Sequence, residues 1–66
     1  MPKFPVYNSD DIIKILQKNN FFEDHQTGSH KVFYNKKSQR RVVVPYHKKD
    51  LPIGTSQSIL KMAGLL

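Results

Sequence analysis

The sequence predicts a small α+β domain in which two helices cover one face of a three-stranded antiparallel sheet. Apolar residues recur at helical spacing near both ends of the chain, and three short runs that favour β structure lie between them. Turn-forming residues separate these runs. The chain has 66 residues, enough for one domain, so we expect residues 1–66 to form a single α-β-β-β-α unit. The face of the sheet opposite the helices should then be open to solvent or to a partner.

The first helix is predicted over residues 10–19. Its lead-in, Met1–Tyr7, contains two prolines and is expected to be extended. Asn8 and Ser9 are good N-cap residues, and two aspartates follow them where the helix dipole favours negative charge. Asn20 comes after the helical pattern, so we expect it to take the left-handed conformation that often ends a helix.

Three strands are predicted between the helices, over residues 21–26, 30–35 and 40–45. The first run is aromatic and polar, whereas the other two carry the β-branched and aromatic residues typical of strands. Thr27–Ser29 predicts a turn because it contains a glycine, and Lys36–Gln39 predicts a polar hairpin loop. The three strands are therefore expected to form an antiparallel meander.

The second helix is expected after a basic loop, Tyr46–Ile53. Gly54 and Thr55 should open this helix, with Thr55 as the N-cap. Apolar residues give the following turns helical character, and Gly64 is the expected C-terminal cap. This helix should pack beside the first one on the same face of the sheet.

The formal net charge of +6 is unevenly distributed along the chain. Residues 1–30 carry three lysines against four carboxylates, for a net charge of −1. Residues 31–66 carry eight Lys or Arg against one aspartate, for a net charge of +7. A basic half of this kind points to a polyanionic partner, with nucleic acid first, although a soluble basic surface is the plainer alternative.

Composition and spacing argue against several other classes. The chain has no cysteine, and its histidines and carboxylates lack the spacing typical of metal sites. Its isolated glycines do not form a phosphate-binding loop, and no run approaches the length of a membrane span. The N-terminus has no apolar stretch typical of a signal peptide. We therefore expect a soluble cytoplasmic protein without a metal, a cofactor or a membrane partner.

His30 is the first candidate for chemistry. Because side chains alternate along a strand, His30 shares a face with Tyr34, whereas Phe33 faces the other way. If Phe33 points to the helices, His30 points away from them, and the turn at Gly28 and Ser29 leaves its imidazole accessible. A histidine can give or take a proton near neutral pH, although a lone exposed histidine is usually only a surface residue.

Positive charge near His30 in the sequence strengthens this assignment. Lysine and arginine can hold an RNA phosphate beside the imidazole and neutralise charge that builds on the phosphorus oxygens. The candidates come from the second and third strands, the loop between them and the segment that follows. They are Lys31, Lys36, Lys37, Arg40, Arg41, His47, Lys48 and Lys49.

Other residues have weaker claims to chemistry. His25 lies on the first strand without a set of metal-ligating residues around it, and we interpret it as a structural or surface residue. His47 either binds phosphate or assists His30, or it is a solvated loop residue. Ser29 could be a nucleophile beside His30, but no aspartate in this segment completes a triad.

Two segments together carry a more specific signal than either alone. The first is Gln-Thr-Gly-Ser-His-Lys-Val-Phe, at residues 26–33. The second begins with Val-Val-Pro-Tyr-His, at residues 43–47, and continues with Leu51, Gly54-Thr55 and Ile-Leu-Lys-Met-Ala-Gly-Leu, at residues 59–65. Both resemble the HicA family of toxins from bacterial and archaeal toxin–antitoxin pairs, and the resemblance runs from about Ser9 to Leu65.

The resemblance implies a domain like those that bind double-stranded RNA. It also implies an endoribonuclease that cuts mRNA without the ribosome and so arrests translation and growth. The catalytic histidine of the family falls on His30, and its glycine falls on Gly28. The expected partner besides RNA is a HicB-type antitoxin that covers this site and usually also represses the operon.

Two alternatives share the basic charge of the chain. One is an RNA-binding module without chemistry, which includes a degenerate toxin that binds RNA but no longer cuts it. The other is a protein-interaction domain whose basic face binds an acidic partner. Cleavage of RNA separates the enzyme from both alternatives, and salt-sensitive binding without cleavage indicates the first of them.

Overall fold

A computed structural model of the chain, which describes residues 4–66, confirms the predicted order of one helix, three strands and one helix. The elements are α1 (Ser9–Lys18), β1 (Phe22–Thr27), β2 (His30–Asn35), β3 (Arg40–Pro45) and α2 (Ile53–Met62). The strands β2 and β3 have the predicted bounds, whereas α1 and β1 are each shifted by one residue. The first three residues of the predicted lead-in, Met1–Tyr7, lie outside the described residues.

Local hydrogen bonds define both ends of α1. Asn8 Oδ1 accepts from the Asp11 backbone N–H at 2.8 Å, and the Asp11 carboxylate accepts from the Asn8 N–H at 3.2 Å, which is a capping box. Asn20 has the expected left-handed conformation, with φ of 68°, and the Phe21 N–H donates to the Leu16 carbonyl at 3.0 Å. This cap turns Phe21 into the core, where it is fully buried, so β1 begins one residue later than predicted.

The sheet is an antiparallel meander with the strand order β1-β2-β3. Thr27 pairs with His30 across a two-residue turn in which Gly28 has φ of 57°. A glycine with positive φ at the first turn position is the type II′ pattern, whose twist matches that of the flanking strands. The turn therefore delivers the chain directly into β2 at His30.

Both helices pack on one face of the sheet, which we call the covered face. Its residues Phe33, Val42 and Val44 have no exposed surface. They form one apolar cluster with residues of both helices, including Ile12, Leu16, Ile59 and Leu60. The opposite side, which we call the open face, carries Phe22, His25, Thr27, His30, Val32, Tyr34, Arg41 and Val43.

The start of α2 departs from the prediction. The helix begins at Ile53 with Pro52 at the N-cap position and without a side-chain cap hydrogen bond, so the assignment of Thr55 as N-cap is wrong. The preceding residue explains the difference, because Leu51 is buried and its N–H donates to the Tyr7 carbonyl at 2.8 Å. The burial and hydrogen bond of Leu51 fix the backbone immediately before the helix. Pro52 can follow at the N-cap position because its fixed φ is compatible with entry into a helix.

The end of α2 is held by a glycine and an arginine. Gly64 takes the predicted left-handed conformation, with φ of 76°, and the Leu65 N–H donates to the Leu60 carbonyl at 2.9 Å. The Arg40 guanidinium donates to the Met62 carbonyl at 3.1 Å and lies against Gly64. Arg40 therefore ties the start of β3 to the end of α2.

Candidate active site

His30 is exposed at the first position of β2. Its backbone pairs with Thr27 on one side and with Pro45 on the other, so neighbouring strands hold it from both sides. Because Phe33 points into the core, the strand alternation directs His30 to the open face, as the sequence predicts. Its ring has no recorded hydrogen bond or ion pair with any residue among 4–66, so both nitrogens are available to a ligand.

Backbone contacts fix the edge of the sheet next to His30. The Tyr46 N–H donates to the Ser29 carbonyl at 2.6 Å, which joins the Gly28 turn to the segment after β3. The Ser9 hydroxyl, which is buried, donates to the Pro45 carbonyl at 2.6 Å and so joins this segment to the start of α1. The predicted site-shaping residues Gly28 and Ser29 therefore lie in a turn that two other parts of the fold restrain.

Three of the predicted RNA-binding residues follow Pro45 and lie at the end of the sheet that carries His30. They are His47, Lys48 and Lys49, and all three are exposed. The His47 N–H lies 3.3 Å from the Ser9 hydroxyl oxygen, so the backbone here is held while the side chains face solvent. Neither lysine has a recorded ion pair within the described part of the chain.

Lys36 and Lys37 lie at the opposite end of β2 from His30. Lys36 lies six positions after His30 along the strand, which corresponds to about 20 Å. The Lys37 N–H donates to Asn35 Oδ1 at 2.8 Å, which holds the loop in place. These two lysines therefore cannot contact the same phosphate as His30, but they can contact a longer strand of RNA that crosses the sheet.

Lys31 and Arg40 lie on the covered face, and the side chain of each contacts other groups of the protein. The Lys31 ammonium lies 3.4 Å from Glu23 Oε1 and 4.3 Å from the centre of the Tyr46 ring, and its side chain is only 20% exposed. Arg40 binds the end of α2 through the Met62 carbonyl. A contribution of these two residues to RNA binding stays a prediction, and both have a structural role.

Sequence reasoning selected Arg41 but missed the cluster of charged side chains to which it belongs on the open face. Arg41 Nη1 donates to Asp24 Oδ2 at 2.8 Å, and His25 Nδ1 lies 2.9 Å from the same oxygen. Arg41 also lies over the Tyr34 ring, with 4.9 Å between the guanidinium carbon and the ring centre. The hydrogen bond from His25, followed by that from Arg41, lowers the pKa of Asp24 below its ordinary value.

The candidate site is an open surface that displays imidazoles, cations and a carboxylate. Among residues 4–66, no three His, Asp or Glu side chains come together as a set that could hold a metal ion. In the same part of the chain, no helix is long and apolar enough to span a bilayer. The arrangement is suited to proton transfer and to anion binding at a surface that a long ligand can cross.

The fold and this surface define a class of protein, namely a small basic α-β-β-β-α domain with the same element order as double-stranded-RNA-binding domains and an exposed histidine on its open face. The family model described as the HicA toxin of bacterial toxin-antitoxin matches residues 9–65. The chain therefore belongs to the HicA toxin family and is the toxin of a toxin–antitoxin system, which implies an antitoxin partner. A comparison with curated proteins finds no match.

Proposed function

We propose that this toxin is an endoribonuclease that cuts mRNA without the ribosome and thereby arrests translation and growth, with His30 as a catalytic residue. The observation that supports the proposal best is the position of His30. Its ring is exposed on the open face, while the backbone on either side of it is paired with Thr27 and Pro45. A rigid backbone beneath an accessible imidazole is what proton transfer to or from a bound substrate requires.

RNA supplies its own nucleophile for this reaction. A base removes the proton of a ribose 2′-hydroxyl, the 2′-oxygen forms a bond to the adjacent phosphorus, and the bond from phosphorus to the 5′-oxygen breaks. The 5′-oxygen takes up a proton, so the products are a 2′,3′-cyclic phosphate and a 5′-hydroxyl. A single positioned acid or base accelerates such a step by about 10²–10⁴-fold, and the reaction has no requirement for a metal ion.

The exposed cations suggest how a strand of RNA lies on the protein. Lys48 and Lys49 are near the His30 end of the sheet, Arg41 is on the open face, and Lys36 and Lys37 are at the far end. The distance from one end to the other is about 20 Å. With a rise of about 3.4 Å for each stacked nucleotide, this length accommodates roughly six nucleotides. Binding should therefore weaken steeply as salt is added.

The antitoxin in this proposal is of the HicB type, and it neutralises the toxin by covering the open face. An acidic protein surface would complement the basic half of the chain, whose residues 31–66 carry a net charge of +7. Covering the open face would exclude RNA from His30 without disturbing the apolar cluster on the other side of the sheet.

The test is cleavage of RNA by the purified chain in the presence and absence of a chelator. We expect cleavage in both conditions, with products that end in a cyclic phosphate. His30→Ala should reduce the rate by about 100-fold or more and should relieve growth arrest. Thr27→Ala, a change of the cross-strand neighbour on the same face, is the matched control and should cut RNA at close to the parental rate.

Each other outcome has a definite meaning. If His30→Ala cuts RNA at the parental rate, His30 is not the catalytic residue. If cleavage stops in chelator, the reaction depends on a metal. If the parental chain binds RNA in a salt-sensitive way but never cuts it, the chain is an RNA-binding module without chemistry.

A further inference from the structure

An irregularity in β1 changes which side of the sheet His25 faces. Glu23 pairs with Phe33, but the next pair is His25 with Val32, so Asp24 is an extra residue in this strand. Such a β-bulge re-aims the side chains that follow it. Without it, strict alternation would have put His25 on the covered face with Glu23.

The bulge brings His25 close to His30. His25 lies directly opposite Val32, which is two residues along β2 from His30, so the two histidines are diagonal neighbours on the open face. Diagonal neighbours of adjacent antiparallel strands are about 7–8 Å apart. This spacing refers to the backbone, and both exposed imidazoles extend from it on the same surface, so that one phosphate group can lie between them.

Asp24 holds the His25 ring in a defined state. Because an ionised carboxylate can only accept, the contact of 2.9 Å requires that His25 Nδ1 carries the proton. His25 Nε2 is then the nitrogen left for a substrate. Arg41 donates to the same Asp24 oxygen at 2.8 Å and so fixes the carboxylate from β3. The His25 side chain is nevertheless 53% exposed, so it is oriented without being buried.

The proposed reaction needs two proton transfers on opposite sides of one phosphorus. The attacking and leaving oxygens lie roughly in line, and each must be within about 3 Å of its acid or base. A base on one side of the phosphate group and an acid on the other satisfy both conditions. One histidine can serve only one side at a time, whereas the pair of His25 and His30 can serve both.

We propose that His25 is the second catalytic residue of the site, an inference that rests on the proposed ribonuclease function. In this assignment His30 accepts the proton of the 2′-hydroxyl, and protonated His25 donates a proton to the 5′-oxygen as its bond to phosphorus breaks. Asp24 suits His25 to the acid role, since its negative charge balances that of an imidazolium. The cyclic phosphate and the 5′-hydroxyl account for all atoms and protons.

His47 is the competing candidate for the second proton transfer. It is exposed and lies two residues beyond Pro45, the cross-strand partner of His30. Its ring, however, has no recorded hydrogen bond to a carboxylate or to any other residue among 4–66. His47 therefore lacks the orienting contact that His25 receives from Asp24, and it provides the comparison variant for the experiment.

The experiment compares two RNAs that differ only in the leaving atom. In the second RNA, sulfur replaces the 5′ bridging oxygen at a linkage that the parental protein is first found to cut. A thiolate leaves without taking up a proton, so the second RNA needs no acid. His25→Ala should lose about 100-fold in rate on the oxygen substrate and recover to within a few-fold of the parent on the sulfur substrate. His30→Ala should be slow on both.

Two further variants sharpen the test. His25→Gln keeps a donor for Asp24 but cannot transfer a proton, so it should behave as His25→Ala. His47→Ala, a change at a predicted RNA-binding residue, should lose the same factor on both RNAs, because it removes a contact to RNA and leaves the acid in place.

Several outcomes would overturn the inference. If the cleavage rate of His25→Ala falls equally on both RNAs, His25 acts in binding alone. If the rate falls on neither RNA, His25 is not part of the site. A leaving-group effect in His47→Ala instead would transfer the acid role to that residue. Failure of the proposed function itself is distinct, because the parent would then cut neither RNA. Circular dichroism should show that the exposed His25 variants keep the parental fold.

Discussion

The two faces of the sheet place chemically similar residues in opposite environments. On the covered face, Phe33 and Val42 have no exposed surface, whereas Phe22 and Val43 on the open face are 69% and 45% exposed. The valines are adjacent in β3, so strand alternation alone separates them. Apolar burial that stabilises the fold is therefore concentrated on one face, and this leaves the other face free to hold groups that act on a ligand.

The strand β2 contributes to both faces. Phe33 packs among the helices, and His30 from the same strand is exposed on the open face. A substitution on one face should therefore change the free energy of unfolding, and a substitution on the other should change binding or chemistry. The proposed effect of His30→Ala belongs to the second kind. The variants that follow test whether the faces are separable in this way.

The largest effect on stability is expected from Phe33→Ala. Removing a fully buried phenylalanine costs about 3–5 kcal/mol. A chain of this length is stable by only about 3–10 kcal/mol, so much of the variant should be unfolded at room temperature. Urea denaturation followed by circular dichroism measures the change.

Phe22→Ala is the matched control on the open face. Because Phe22 is largely exposed, this change should alter the free energy of unfolding by no more than about 0.5 kcal/mol. A cost for Phe22→Ala similar to that of Phe33→Ala would show that the open face also carries the stability of the fold, and the contrast between the faces would be lost.

A smaller effect is expected at the turn that presents His30. Gly28→Ala has free space around the added carbon, but Gly28 has φ of 57°, where an L-residue is strained. The cost should be about 1–2 kcal/mol. Thermal unfolding measures it, and the Ala variant should still bind RNA because its Cβ contacts no other group.

Gly54→Ala is the control for the turn. Gly54 lies in α2, has free space around it and does not have a positive φ. Alanine should stabilise the helix here by about 0.5–1 kcal/mol, since glycine is the poorer helix former. If both variants changed stability in the same direction, backbone conformation at Gly28 would not be the cause.

The element order and the bounds of β2 and β3 could be predicted from the sequence because two local signals agree. Valine and aromatic residues favour strands in both segments, and turn residues bound them. The face on which His30 lies could also be predicted. Once Phe33 is taken as the inward residue of β2, the alternation of side chains places His30 on the opposite face.

The position of His25 could not be predicted, for a physical reason. All six residues of β1 are exposed, so no burial pattern specifies the register of this strand. The extra residue at Asp24 depends on pairing with β2 and on the contact with Arg41, which lies 17 residues away in the chain. The partners of Lys31 and Arg40 are likewise tertiary contacts, which a count of basic residues does not reveal.

The central claim is that RNA lies on the open face of the sheet. The most direct measurement is NMR of the valine methyl groups and histidine rings during titration with a single-stranded RNA that carries 2′-O-methyl groups and cannot be cut. The account predicts shifts in Val43 and the His30 ring at RNA concentrations that leave Val42 unchanged. Shifts confined to the outer surfaces of the two helices, with Val43 and His30 unaffected, would contradict it.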